Sequence, residues 1–253
     1  MLTLGIDLAA SPARTAACTI DWTASGVRGE VRPPPLDDAD LLRLMRDADR
    51  IGIDCPLGWP VAFVEAVASY QAGDAWPGRD AADPGAYRRA LVYRRTDELV
   101  VAGGSRPLSV STDRIGVVAL RCAALLDAFA PPSPGVSPDR SGTSAVAEVY
   151  PAAAMRRWGL TAAGYKATRV RAEAALDRLV ADLRAAAPWL DLPDATWAHC
   201  RRTDHAFDAV IASLVTRAVA RGLTIRPGTD EDRSLAAVEG WIHVPTGDIA
   251  DLR

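Results

Sequence analysis

Three short apolar segments of this chain run into a carboxylate. Residues 2–8 reach Asp7, residues 51–56 reach Asp54, and residues 144–151 reach Glu148. Apolar runs of this length, bounded by small or turn residues, read as buried strands. An ionised carboxylate in such a place is costly unless a cation, a proton or hydrogen bonds compensate it. The chain must therefore fold so that these strand ends meet something that neutralises them.

The rest of the pattern is mixed. Residues 14–22 alternate, with Ala16, Cys18, Ile20 and Trp22 on one face and Ala17, Thr19 and Asp21 on the other, and residues 27–32 alternate again. Three successive strands with short connections predict an antiparallel meander. Leu41, Leu42, Leu44 and Met45 then recur at helical spacing. Further helices are expected over 61–71, 84–101, 113–129, 151–158, 168–187 and 201–222. The last has Thr203 as N-cap and Gly222 as C-cap. Residues 130–142 read as a long, mobile loop, and residues 239–245 as a short final strand. The expectation is one α/β domain over residues 1–253, with a helical insertion at approximately 60–140.

With 253 residues, the chain can bury a sizeable core. The formal net charge of −3 argues against a constitutive, non-specific nucleic-acid binder. It leaves room for an enzyme that meets nucleic acid through a local basic patch around an acidic centre. No apolar run is long enough to cross a membrane, and no signal peptide is expected. Cys18, Cys55, Cys122 and Cys200 are scattered and form no C-x-x-C pair. A reducing, cytoplasmic setting is the simplest reading.

Asp204 and Asp208 add two acids at the start of the last strong helix. With Phe207, Val210, Ile211, Leu214 and Ala218 taken as the buried stripe, both lie on one flank, one turn apart. Carboxylates from converging strand ends and this helix suit hard cations such as Mg²⁺ or Mn²⁺. Ions held in this way can activate water and stabilise a leaving oxygen at a phosphate. Each acid also has an ordinary role open to it: Asp7 or Asp54 capping a turn, Glu148 pairing with an arginine, Asp204 favouring a helix dipole.

Arg94, Arg95 and Thr96 are candidates for gripping a phosphate, as are Arg201 and Arg202. Trp59 and Trp76 are candidates for stacking on bases. His205, between the two helix acids, is a candidate for proton transfer. His199 and His243 have no metal-ligand spacing. No G-x-S-x-G elbow, Walker A sequence or G-x-G-x-x-G after a strand is present.

The segments "GIDLA" at 5–9, "GIDCPLGWP" at 52–60, "YRRTD" at 93–97, "EVYP" at 148–151, "DHAFDA" at 204–209 and "EGWIHVP" at 239–245 resemble the DUF429 family of predicted ribonuclease H-like nucleases. The resemblance implies a mixed five-stranded sheet flanked by helices, with strands one to three antiparallel and later strands parallel beside strand one. It implies Asp7 at the centre of a metal-dependent nuclease site, with Asp54, Glu148 and a helix acid as further ligands. Asp208 matches the aspartate of the "DA" pair. Nucleic acid would be the partner. Two other readings stay open: an ATP-dependent phosphotransferase of the actin-like superfamily, whose first phosphate loop residues 5–16 loosely resemble, and a non-catalytic partner-binding protein. The mark of the latter would be strand acids too far apart to share a cation.

Overall fold

A strand β1, Leu2–Asp7, forms the centre of the sheet. β2, Ala16–Thr23, pairs antiparallel with it, and β3, Gly26–Arg32, pairs antiparallel with β2. After α1 (Asp38–Asp47), β4 (Arg50–Asp54) returns parallel to β1 on its other side. The computed structural model describes residues 1–131, 139–160, 164–166 and 169–253. Most of the loop expected over 130–142, and the first position of the helix expected over 168–187, lie outside them.

The insertion forms α2 (Val61–Ala72), α3 (Pro84–Val92), α4 (Arg95–Ala102) and α5 (Ile115–Phe129). The single helix expected over 84–101 is broken at Tyr93 and Arg94. Both adopt extended backbone, and Asp97 accepts the Arg94 N–H at 2.9 Å as the cap of α4. The chain then gives β5 (Val146–Val149), α6 (Pro151–Arg157), α7 (Arg169–Ala186), β6 (Leu190–Asp191), α8 (Asp194–Arg202), α9 (Asp204–Ala220), α10 (Asp230–Glu239) and β7 (Ile242–His243).

The sheet order is β6-β3-β2-β1-β4-β5-β7. It has seven strands where five were expected. The antiparallel meander and the parallel additions beside β1 follow the expectation. The two extra members are β6 and β7, each two residues long, at the outer edges. Among the described residues, no helix is long and apolar enough to cross a membrane.

Helices cover both faces. On one side α6, α7, α8 and α9 pack with Ala16, Cys18, Ile20 and Trp22 of β2. On the other, α1 and α5 pack with Leu4, Ile6, Ile51 and Ile53. α9 does not carry a one-sided stripe. From Ala206 to Val219 every residue but Arg217 is buried, because the sheet lies under the helix and α6, α7 and α8 lie around it.

Two glycines allow this close seat. A Cβ on Gly5 would lie 2.1 Å from the backbone nitrogen of Ser213, and one on Gly52 would lie 2.1 Å from Thr216 Oγ1. Each glycine stands two residues before a strand-end aspartate. The sequence Gly-Ile-Asp therefore does two jobs in both β1 and β4. Glycine and aspartate face α9, and isoleucine faces the opposite core, as the period of two requires. Thr3 continues the glycine-side row of β1 and shares a 2.8 Å hydrogen bond with Ser213 of α9.

Gly5→Ala forces backbone against backbone and is expected to cost about 3 kcal/mol or more of unfolding free energy. Gly26→Ala, where an added Cβ meets nothing within 4 Å, is expected to change stability by less than about 0.5 kcal/mol. Denaturant titration of both variants checks this. Equal, small effects would show that α9 does not need the glycine seat.

Candidate metal centre

β1 and β4 are parallel and in register, and Asp7 is paired directly with Asp54. Neighbouring strands lie about 4.8 Å apart, so paired residues put their side chains side by side on one face. That face is the one α9 covers, and Asp208 comes down onto it from the helix. One carboxylate oxygen from each of Asp7, Asp54 and Asp208 lies within 4.8 Å of the other two. Asp7 and Asp208 are buried and Asp54 is half-buried.

Compensation within the chain is partial. Asp7 Oδ2 is hydrogen-bonded to His205 Nδ1 at 2.7 Å. Asp208 Oδ2 accepts from Lys166 Nζ at 2.7 Å and from the Tyr165 hydroxyl at 3.3 Å. Among the described residues, Asp208 Oδ1 is buried and has no hydrogen-bond partner. A buried carboxylate oxygen left in this state costs free energy unless a cation or a proton meets it. The titration behaviour has the same cause. Burial pushes the Asp208 carboxyl up to about 7, against the pull of Lys166 and with the help of Asp7. Burial likewise raises Asp54 well above the usual carboxylate range, with Lys166 opposing and Asp7 and Asp208 adding to it. The hydrogen bond to Asp7 is the main influence raising His205, against its own burial.

Glu148 is not drawn into this group, and register explains why. On β5 it pairs with Ile53, not Asp54, so it emerges on the opposite face of the sheet. There Arg94 grips it through two bonds of 2.7 Å, and the Leu57 N–H donates to it at 3.0 Å. Arg94 also donates to Asp97 at 2.8 and 3.1 Å and to the Glu239 carbonyl at 3.1 Å. This is a buried ion network, with Arg94 only 1% exposed. Burial raises the Glu148 carboxyl despite Arg94.

The other candidate residues are placed as follows. Arg95 is bound through Nε to Asp232 at 2.7 Å, and the Thr96 hydroxyl accepts the Ile242 N–H at 2.8 Å. With Arg94, these residues tie α4 to β5, α10 and β7. Asp204 stands at the rim, 4.0 Å from His205 Nε2 and outside the three-carboxylate group. Ser11, not Asp7, caps the turn at Pro12–Arg14. Trp59 packs beside the α1/α5 core, and Trp76 lies edge-on to Tyr70 and Tyr87. Arg201 pairs with Asp177 at 3.4 Å, and Arg202 approaches His199 at 3.0 Å. His243 is buried between Thr224 and the Ser141 carbonyl, and all four cysteines are free and buried.

Lys166 and Tyr165 are site neighbours that sequence reasoning missed. Lys166 is the single lysine of the chain, and that singularity was the available signal. Beside it a cavity of about 620 Å³ opens at the strand ends, lined by Asp54, Lys166 and Tyr165, by Arg94 and Glu148 of the ion network, and by apolar side chains including Leu108 and Ile115.

The fold and site thus define an α/β protein with a seven-stranded mixed sheet and three carboxylates arranged so that they could hold a metal ion at the ends of its two central parallel strands. The chain belongs to the family described as "Protein of unknown function (DUF429)", whose sequence model matches residues 5–233. Neither a curated protein nor a solved structure matches it.

Mn²⁺ or Mg²⁺ at about 100 times its dissociation constant is expected to stabilise the fold by about 2.7 kcal/mol. Asp54→Asn is expected to lose most of that gain while the metal-free protein stays folded. Thermal melts with and without the ion check this. A gain that survives the substitution would place the ion elsewhere.

Proposed function

We propose that this protein is a metal-dependent nuclease with a ribonuclease H-like core, hydrolysing phosphodiester bonds of nucleic acid with Mg²⁺ or Mn²⁺. The observation that carries the reading is the trio Asp7, Asp54 and Asp208, gathered within 4.8 Å and including a buried Asp208 oxygen with no hydrogen-bond partner among the described residues. Oxygen-only donors suit these hard cations. The β3-β2-β1-β4-β5 order within the sheet agrees with such a core. Two of the three strand acids, Asp7 and Asp54, are near enough to share a cation with Asp208, which favours this reading over a non-catalytic relative.

In this reading a bound divalent ion supplies an activated water and charge stabilisation at the phosphate. Asp7, Asp54 across the strand pair and Asp208 from α9 would hold that ion. His205 orients Asp7 through Nδ1. Its half-buried ring stands between Asp7 and Asp204 and is placed to relay a proton. The Arg94–Glu148–Asp97 network fixes the neighbouring strand end and the start of the insertion, a supporting role. The insertion contributes Leu108 and Ile115 to the cavity wall, so substrate would lie between the sheet ends and the inserted helices.

The experiment is cleavage of a panel of RNA, DNA, hybrid and branched substrates in Mn²⁺. Cleavage of at least one class is expected. Asp7→Asn should lower its rate by about 100-fold or more, on the scale at which perturbed metal sites lose activity, with the fold intact by circular dichroism. Folded protein that binds Mn²⁺ and cleaves none of the panel would count against the nuclease reading.

A further inference from the structure

We propose that Lys166 takes the place of a second metal ion: the centre holds one divalent cation, and the Lys166 ammonium is the other positive charge offered to the substrate phosphate. This rests on the metal reading above and specifies what kind of centre it is.

Charge is the first argument. Three carboxylates meet here, and Lys166 already lies 2.7 Å from one of them. Lys166 and a single divalent cation together balance the three acids. Two divalent cations with the lysine in place would leave a surplus of two positive charges in a largely buried site, which is costly.

Geometry is the second. Of the two Asp208 oxygens, Oδ2 is taken by Lys166 and Tyr165, whereas Oδ1 has no hydrogen-bond partner among the described residues. The two sides of Asp208 are thus distinguishable, one neutralised by the chain itself and one not. Asp208 is almost fully buried, but the Lys166 side chain is 51% exposed and lines the cavity that Asp54 also lines. The ammonium therefore reaches a carboxylate while its half-exposed side chain stays at the cavity wall. That is the placement needed to meet an anionic group entering the cavity.

Residue type is the third. Lysine and arginine together number 29, and 28 of these are arginine. Lysine presents a compact point charge with three donors, and arginine a planar fork. The neighbouring ion network uses the fork, with Arg94 bidentate on Glu148. The metal centre uses the only ammonium side chain, whose size and charge are closest to a metal ion's.

Because Lys166 is unique, labelling with lysine carrying ¹³C at Cε gives a single side-chain signal. Two readouts follow, neither requiring activity. Titration of the full-length protein with Mn²⁺, followed by the electron paramagnetic resonance of the free ion, should give about one bound ion per chain. Lys166→Met should bind about two. The ¹³Cε signal of the wild-type protein should broaden beyond detection at the first equivalent of Mn²⁺ and stay sharp in Mg²⁺. Should the methionine variant aggregate, Lys166→Gln serves the same comparison. Two ions bound by the wild type, one bound by the substituted protein, or an unbroadened signal would each overturn the assignment. Absence of any bound ion would overturn it as well, together with the metal reading beneath it. Stoichiometric binding without cleavage would leave it standing and count only against the nuclease activity.

Discussion

The close seat of α9 on Gly5 and Gly52 is the contact from which the rest of the structure follows. A Cβ on Gly5 would collide with the backbone of Ser213, and one on Gly52 with the Thr216 hydroxyl. The seat sets the height of the helix, and the height carries Asp208 down to the strand ends. It also surrounds α9 with neighbours, so the helix is buried on nearly all sides. The same two glycines then leave the following aspartates on the covered face, since residues two apart on a strand share a side. Packing and site are in this sense one construction.

That construction gathers like charges in a buried place. Burial and mutual repulsion raise Asp54 and Asp208, and Lys166 opposes both effects without cancelling them. A second buried charge cluster lies on the opposite face, where Arg94 holds Glu148 and Asp97 with full hydrogen-bond complementarity. The contrast is informative. The Arg94 cluster is closed, and removing one partner from such a network typically costs about 3–5 kcal/mol. Among the described residues, the Asp7–Asp54–Asp208 group keeps a buried oxygen without a hydrogen-bond partner.

Much of this was legible in the residues, for identifiable reasons. β1, β2, β3 and β4 are long enough to show an apolar run or alternation, and Asp7 and Asp54 stand out because they interrupt apolar runs. Glu148 looks the same in sequence. Its face depends on the offset of β5 against β4, a one-residue property that no single strand encodes. Asp208 differs from Asp204 through the rotation of α9 on its glycine seat, again a tertiary property. β6 and β7 are two residues long and carry no period. α10 did carry a signal, the Thr229–Asp232 capping box, as did the break before α4, where Asp97 caps Arg94. Lys166 lies in a turn with no periodicity, and only its rarity marks it.

The most direct measurement is anomalous diffraction from a crystal of the protein equilibrated with Mn²⁺. The account predicts a strong peak about 2 Å from oxygens of Asp7, Asp54 and Asp208, on the Oδ1 side of Asp208. A map with no peak there at saturating Mn²⁺, or with the three carboxylates turned apart and the ion bound elsewhere, would contradict it.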